Sequence, residues 1–283
     1  MVLISVGLFL TLRQIQQPFG TEFSGVRALE DVAYQMSLGA RIPQSLAHAQ
    51  EVDWLIASLR EAGWQVELQS AQSLGHSVQN IVAKRGTGTP WFILGAHYDT
   101  RLHADQDPDP EARELPVPGA NDGASGVAVL LELARVLPRD LNAQVWLVFF
   151  DAEDNGNIEG WDWILGSQVF ADSLRSNPKG VIVVDMVGDA DLNIYLEGNS
   201  DPKLSAAIWQ QAAELGYGNV FINSVKYSML DDHSPFLARG FPAVDIIDFD
   251  YPYWHTTADT LDKVSAQSLQ AVGDTLLAWL LNQ

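Results

Sequence analysis

The sequence predicts a single-domain three-layer α/β/α sandwich built on a mixed, largely parallel central sheet. Three observations carry that expectation. Helix-period and strand-period apolar patterns alternate from Gly20 to the C-terminus. Several strand segments are continuously apolar, as expected when both faces of a sheet are covered by helices. No repeat, low-complexity tract or long linker interrupts the series, so residues 20–283 read as one domain behind an apolar segment, residues 1–19.

The elements follow in order. Ser24–Ser37 and Gln44–Ala62 carry helical patterns, and Val52, Leu55, Ile56 and Leu59 form an i, i+3, i+4, i+7 face. Val66–Leu68 and Asn80–Ala83 read as strands, and Trp91–Ala96 as a buried strand ending at His97. A loop from Arg101 to Gly119 is rich in Asp and Pro (Asp105, Asp107, Pro108, Asp109, Pro110). Helix resumes at Ala124–Leu137, followed by the apolar strand Val145–Phe150 and a helix near Gly166–Leu174. Val181–Val187 is a second buried strand. Pro202–Leu215 is a helix, Pro242–Ile247 a strand and Ser265–Leu281 a closing helix.

Composition then removes whole classes of function. Among 283 residues, 36 are acidic and 16 basic, for a net charge of −20, which argues against a nucleic-acid partner. There is no cysteine, so disulfides, thiolate metal sites and cysteine nucleophiles are excluded. Met1–Leu12 is almost wholly apolar and ends at Arg13, but is too short to span a bilayer of roughly 30 Å. It resembles the hydrophobic part of a secretory signal or a short anchor, which points to an extracytoplasmic location; the alternative is a helix lying on the body of the protein.

In sheets of this kind, ligands bind beyond the carboxyl ends of the strands. His97 and Asp99 follow one strand. Asp122 sits in Gly119-Ala-Asn-Asp-Gly-Ala-Ser-Gly126 before a helix, and Asp151, Glu153 and Asp154 follow another strand. Asp185 lies inside an apolar strand, Asp231, Asp232 and His233 precede a short helix, and His255 follows Tyr251-Pro-Tyr-Trp254. Singly, each has an ordinary reading as a helix cap, a solvated loop residue or a satisfied core histidine. Asp185 is harder to dismiss, because an unpaired buried carboxylate costs several kcal/mol. Carboxylates converging on one crevice would repel unless a cation neutralised them, and His with Asp/Glu but no Cys suits Zn²⁺.

The segments Gly95-Ala-His-Tyr-Asp-Thr-Arg101, Pro118–Gly126, Phe150-Asp-Ala-Glu-Asp154, Val184-Asp-Met-Val-Gly188, Asp231-Asp-His-Ser-Pro-Phe236 and Tyr253-Trp-His-Thr256 resemble, in order, the motifs of the zinc aminopeptidase superfamily M28. More closely, they are similar to its glutaminyl-peptide cyclotransferases, from about Gly39 to the C-terminus. The resemblance implies one catalytic zinc held by Asp122, Asp154 and His255. It implies Glu153 as the acid/base carboxylate, with Asp185 and Asp231 completing a relay. Trp254 matches an aromatic wall of the substrate pocket, and Trp161 is assigned to a second. The pattern departs from the animal enzymes at Asp154, where they carry Glu, and at Asp245, where they carry His.

Such an enzyme acts on peptides or proteins with a free N-terminal Gln, forming pyroglutamate and releasing ammonia. The nucleophile is already tethered, so folding the substrate back is the main task. A first rival is a di-zinc aminopeptidase, with Asp122 bridging two ions and His97 and Asp185 holding the second. Trp254 before His255 and the doubled Asp231-Asp232 favour the cyclase. A second rival, a metal-free binding module, would show broken ligands, and none is broken here.

Overall fold

A computed structural model describes residues 21–283; the apolar segment 1–19 lies outside the described residues. The chain opens with α1 (Gly25–Leu38) and α2 (Leu46–Glu61), each begun by a serine whose hydroxyl accepts an amide of the first turn: Ser24 from Arg27 N, and Ser45 from His48 N. β1 (Gln65–Ser73) and β2 (His76–Arg85) form an antiparallel hairpin, with Leu74 and Gly75 both at positive φ in its turn. β3 (Trp91–His97), α3 (Ala124–Val136), β4 (Gln144–Phe150), α4 (Leu165–Ser173) and β5 (Gly180–Asp185) follow. Next come β6 (Ile194–Glu197), α5 (Pro202–Glu214), β7 (Phe221–Tyr227), the short α6 (Ser234–Ala238), β8 (Ala243–Ile247) and α7 (Ala266–Leu281).

The main sheet has six strands in the order β1-β2-β4-β3-β5-β8. β2 alone runs against the other strands, antiparallel to both of its neighbours β1 and β4, whereas β4, β3, β5 and β8 are mutually parallel, so the carboxyl ends of these four open on one edge. Every residue of β3, β5 and β8 is buried, which is why these segments read as apolar runs, broken inside β8 by Asp245. One core joins α1, α2, α3, α5 and α7 to one face of the sheet, and a smaller one around Phe150, Phe170 and Phe236 covers the other. The predicted three-layer sandwich is the observed one. Among the described residues, no helix is long and apolar enough to cross a membrane.

Two details differ from the sequence expectation. The strand expected over Val181–Val187 ends at Asp185, because Met186 turns to φ 45° and carries the chain out of the sheet. A second sheet, β6 paired in parallel with β7, was not anticipated. Most of β7 is exposed, with only Phe221 buried, so it shows no apolar alternation.

Close packing of α3 against β5 brings the start of this helix to the sheet edge. A Cβ added at Gly126 would lie 2.2 Å from the backbone oxygen of Val184, so glycine is needed for the approach. Gly→Ala in a helix interior ordinarily stabilises by about 1 kcal/mol. Here the sign reverses: Gly126→Ala is expected to destabilise by about 1–3 kcal/mol, the usual cost of overpacking. Denaturant unfolding of the purified variant measures this, and equal or greater stability would contradict the packing described.

Candidate active site

The polar residues anticipated at the strand ends meet at one edge. His97 is the last residue of β3, and Asp185 the last of β5. Asp122 is held just before α3 by Asp259, whose carboxylate accepts the amides of Asn121 at 2.9 Å and Asp122 at 3.2 Å. Asp99 secures the exit of β4 by accepting the amides of Glu153 at 2.9 Å and Asp154 at 3.3 Å. His255 stands at φ 55°, a left-handed conformation that turns its ring back toward these carboxylates.

Two triads result. In the first, ligand atoms of Asp122, Asp154 and His255 lie within 4.8 Å of one another, with His255 Nε2 2.9 Å from Asp154 Oδ1 and 3.8 Å from Asp122 Oδ2. In the second, His97 Nε2 is 3.1 Å from Asp122 Oδ1 and 3.2 Å from Asp185 Oδ1. Asp122 thus turns one oxygen to each histidine. Its Oδ2 and the Oδ2 of Asp154 are buried without a hydrogen-bond partner. Such oxygens are costly unless a cation takes them, and an O,O,N donor set suits a divalent ion, so the residues fit zinc.

Charge crowding shapes the protonation of this edge. Glu153 is pushed well above the ordinary carboxylate range by burial and by Asp154, Asp231 and Asp232, against the pull of His97. Burial raises Asp154 to about 6, helped by Asp122 and opposed by His255. Asp185 rises to about 7, again by burial, with His97 opposing. For His255, burial favours the neutral ring, but Asp154, Asp105 and Asp122 outweigh it and raise the imidazole to about 9.

A pocket of about 220 Å³ opens on these groups. Its floor includes Asp122, Glu153, Asp154, Asp185, Asp231 and His255, while Trp163, Met229, Leu230, Phe249 and Trp254 supply an apolar wall. Trp254 stacks on the His255 ring at 3.8 Å and is braced edge-on by Phe249 at 5.0 Å.

The second tryptophan is a correction. Trp161 does not line the pocket; it stacks on His76 at 3.5 Å and packs against Val78, Ala152 and Leu165. Trp163 lines it instead, its ring lying 19° from parallel to His255 at 6.0 Å. Gly156 decides this, since a Cβ there would come within 2.1 Å of the Trp163 ring. Asp231 faces the pocket, and Asp245, fully buried, lies beside it. Burial and the charges of Asp231 and Asp185 hold Asp245 well above the ordinary range, so it keeps a proton to donate. A protonated carboxyl can donate to Asp231 as an imidazole would. Met229, Leu230 and Phe249 gave no signal in the sequence, because they belong to loops without periodicity.

An α/β sheet with triads suited to a divalent metal at the carboxyl ends of parallel strands defines the framework of the M28 enzyme family. The match of residues 80–280 to the model of peptidase family M28 places the chain in that family, to which it belongs. It is similar to the solved structure of Porphyromonas gingivalis glutaminyl cyclase, with a TM-score of 0.87 and 37% identity over 91% of this chain and 98% of that one. A Zn-dependent exopeptidase from Parabacteroides distasonis superposes with a TM-score of 0.86 at 31% identity, covering 93% and 99%. The glutaminyl-peptide cyclotransferase of Boiga irregularis is 27% identical over 84% of this chain and 75% of its own length.

In the metal-free protein, His255 holds its proton up to about pH 9. That raised value stabilises the metal-free fold fully below the unfolded imidazole's pKa of about 6.5, and the contribution is lost as pH rises through the folded value. A metal taking Nε2 must displace the proton. Metal uptake at pH 7 is therefore expected to release about one proton, and affinity to climb about tenfold per pH unit up to the folded pKa. Calorimetry in buffers of different ionisation enthalpy measures the release; uptake without protons would contradict the assignment of His255.

Proposed function

We propose that the chain is a zinc-dependent glutaminyl-peptide cyclotransferase, converting the N-terminal glutamine of peptides or proteins to pyroglutamate with release of ammonia. The observation that carries the reading is a small pocket in which Trp163 and Trp254 flank His255 directly above the acidic floor. Such a slot suits one short planar side chain folded back on its own amine. Similarity to the bacterial glutaminyl cyclase supports it.

Asp122, Asp154 and His255 would hold the zinc, which when bound acts as a Lewis acid on the substrate carboxamide. Glu153, on the pocket floor, takes a proton from the α-amine as its nitrogen attacks the side-chain carbonyl carbon, and delivers a proton to the nitrogen that leaves as ammonia. Burial and the neighbouring carboxylates raise its basicity, which suits proton transfer near neutral pH. Asp231 and Asp185 face the same space and hold the amine end by charge, with Asp245 beside Asp231. The tryptophans confine the folded conformer and keep water from competing with the tethered amine.

One observation favours a second reading, a di-zinc aminopeptidase: the His97, Asp122 and Asp185 triad could take a further ion. A Gln-initiated and a Leu-initiated peptide separate the two. Ammonia release from an intact chain is the result expected; liberated free leucine would overturn the cyclase reading. Glu153→Gln is expected to keep the fold and bound zinc while lowering turnover about 10²- to 10⁴-fold. Metal analysis and single-turnover assay check this, and near-normal turnover would remove Glu153 from its role.

A further inference from the structure

The acidic loop between β3 and α3 has no part in the chemistry above, yet its first residues reach under the candidate ligands. Arg101 is buried and makes four hydrogen bonds with its guanidinium. Nε and Nη2 donate to the two oxygens of Asp105 at 3.0 and 3.1 Å. Nη1 donates to the backbone oxygen of Asp154 at 2.9 Å, and Nη2 also to that of Gly156 at 3.0 Å. The guanidinium plane lies over the Trp163 ring, 4.9 Å from its centroid.

Asp105 passes this anchorage on. Its Oδ1 stands 3.1 Å from Nδ1 of His255, the ring nitrogen turned away from Asp122 and Asp154. The loop then grips the backbone around that histidine. Gln106 donates its amide to the His255 carbonyl at 3.2 Å, and Asp107 accepts from the Thr257 amide at 2.9 Å and hydroxyl at 2.6 Å. One buried cation therefore touches the backbone of Asp154, the carboxylate facing His255 and the ring of Trp163.

We infer that Arg101 and Asp105 are positioning residues for the metal: together they set the separation of Asp154 from His255 and, through Asp105, the tautomer that leaves His255 Nε2 free to bind. The inference rests on the reading that Asp122, Asp154 and His255 hold zinc. A carboxylate accepting from Nδ1–H fixes ring orientation and makes the other nitrogen a better donor. The guanidinium is suited to the task because its planar fork can hold both Asp105 oxygens and still reach the loop carbonyls. A lysine ammonium has no such fork. The same contacts tie the Trp163 wall to the ligand set, so the width of the pocket and the metal geometry are set by one side chain.

Zinc competition against a chromophoric chelator tests this, with thermal unfolding of each metal-free protein measured alongside. Asp105 is partly exposed, so Asp105→Ala is expected to lower metal-free melting only modestly, by the share of the His255 stabilisation that it supplies, while weakening zinc binding about 10- to 100-fold. Asp105→Asn, whose amide oxygen can still accept from Nδ1, is expected to recover most of that loss. Arg101→Lys, which keeps the charge without the fork, is expected to lose at least about tenfold. Wild-type zinc affinity in Asp105→Ala, or a fall in metal-free melting alone, would overturn the inference and leave the ligand reading standing. A wild-type protein that takes up no zinc would overturn both.

Discussion

Burial of like charge at one sheet edge is the constraint on which the rest of this structure depends. Asp122, Glu153, Asp154, Asp185, Asp231, Asp232 and Asp245 are each less than a tenth exposed, and they face one another across the carboxyl ends of β3, β4, β5 and β8. Carboxylates packed this closely stay ionised only if something positive sits among them. The protein offers His97, His255 and Arg101 for part of that charge. Buried carboxylate oxygens still lack a hydrogen-bond partner, both of Asp232 and of Asp245 and one each of Asp122 and Asp154, the last two beside His255. On the proposed reading, a divalent ion at Asp122, Asp154 and His255 would offset part of the remaining imbalance.

The parallel strands make that cluster possible. Because they are buried on both faces, their polar residues are pushed to the ends, where loops can fold over them. Each loop then has a second carboxylate holding its backbone: Asp99 for the exit of β4, Asp259 for the approach to α3, Asp107 for the turn after His255. Acidic side chains here both face the site and brace it. That division accounts for part of the protein's large negative charge without any basic partner.

The same burial decides how much was legible in the amino-acid sequence. Trp91–His97, Gln144–Phe150 and Ala243–Ile247 stand out as apolar runs because helices cover both sides, and their polar successors lead straight to the site. β6 and β7 were invisible because β7 is mostly solvent-facing and its pairing is irregular, leaving no periodic signature. Trp161 and Trp163 are two residues apart in a loop with no period. The Trp163 ring reaches the pocket over Gly156, where any Cβ would collide with it. Asp105 reads only as one acid of a loop rich in Asp and Pro, since nothing in a linear sequence reveals that it faces a histidine 150 positions later.

The most direct test of the account is anomalous diffraction at the zinc edge from crystals of the zinc-loaded protein. A single peak is expected, among Asp122, Asp154 and His255. A second peak of comparable height between His97 and Asp185, or none within reach of His255, would contradict a one-metal centre built on that triad.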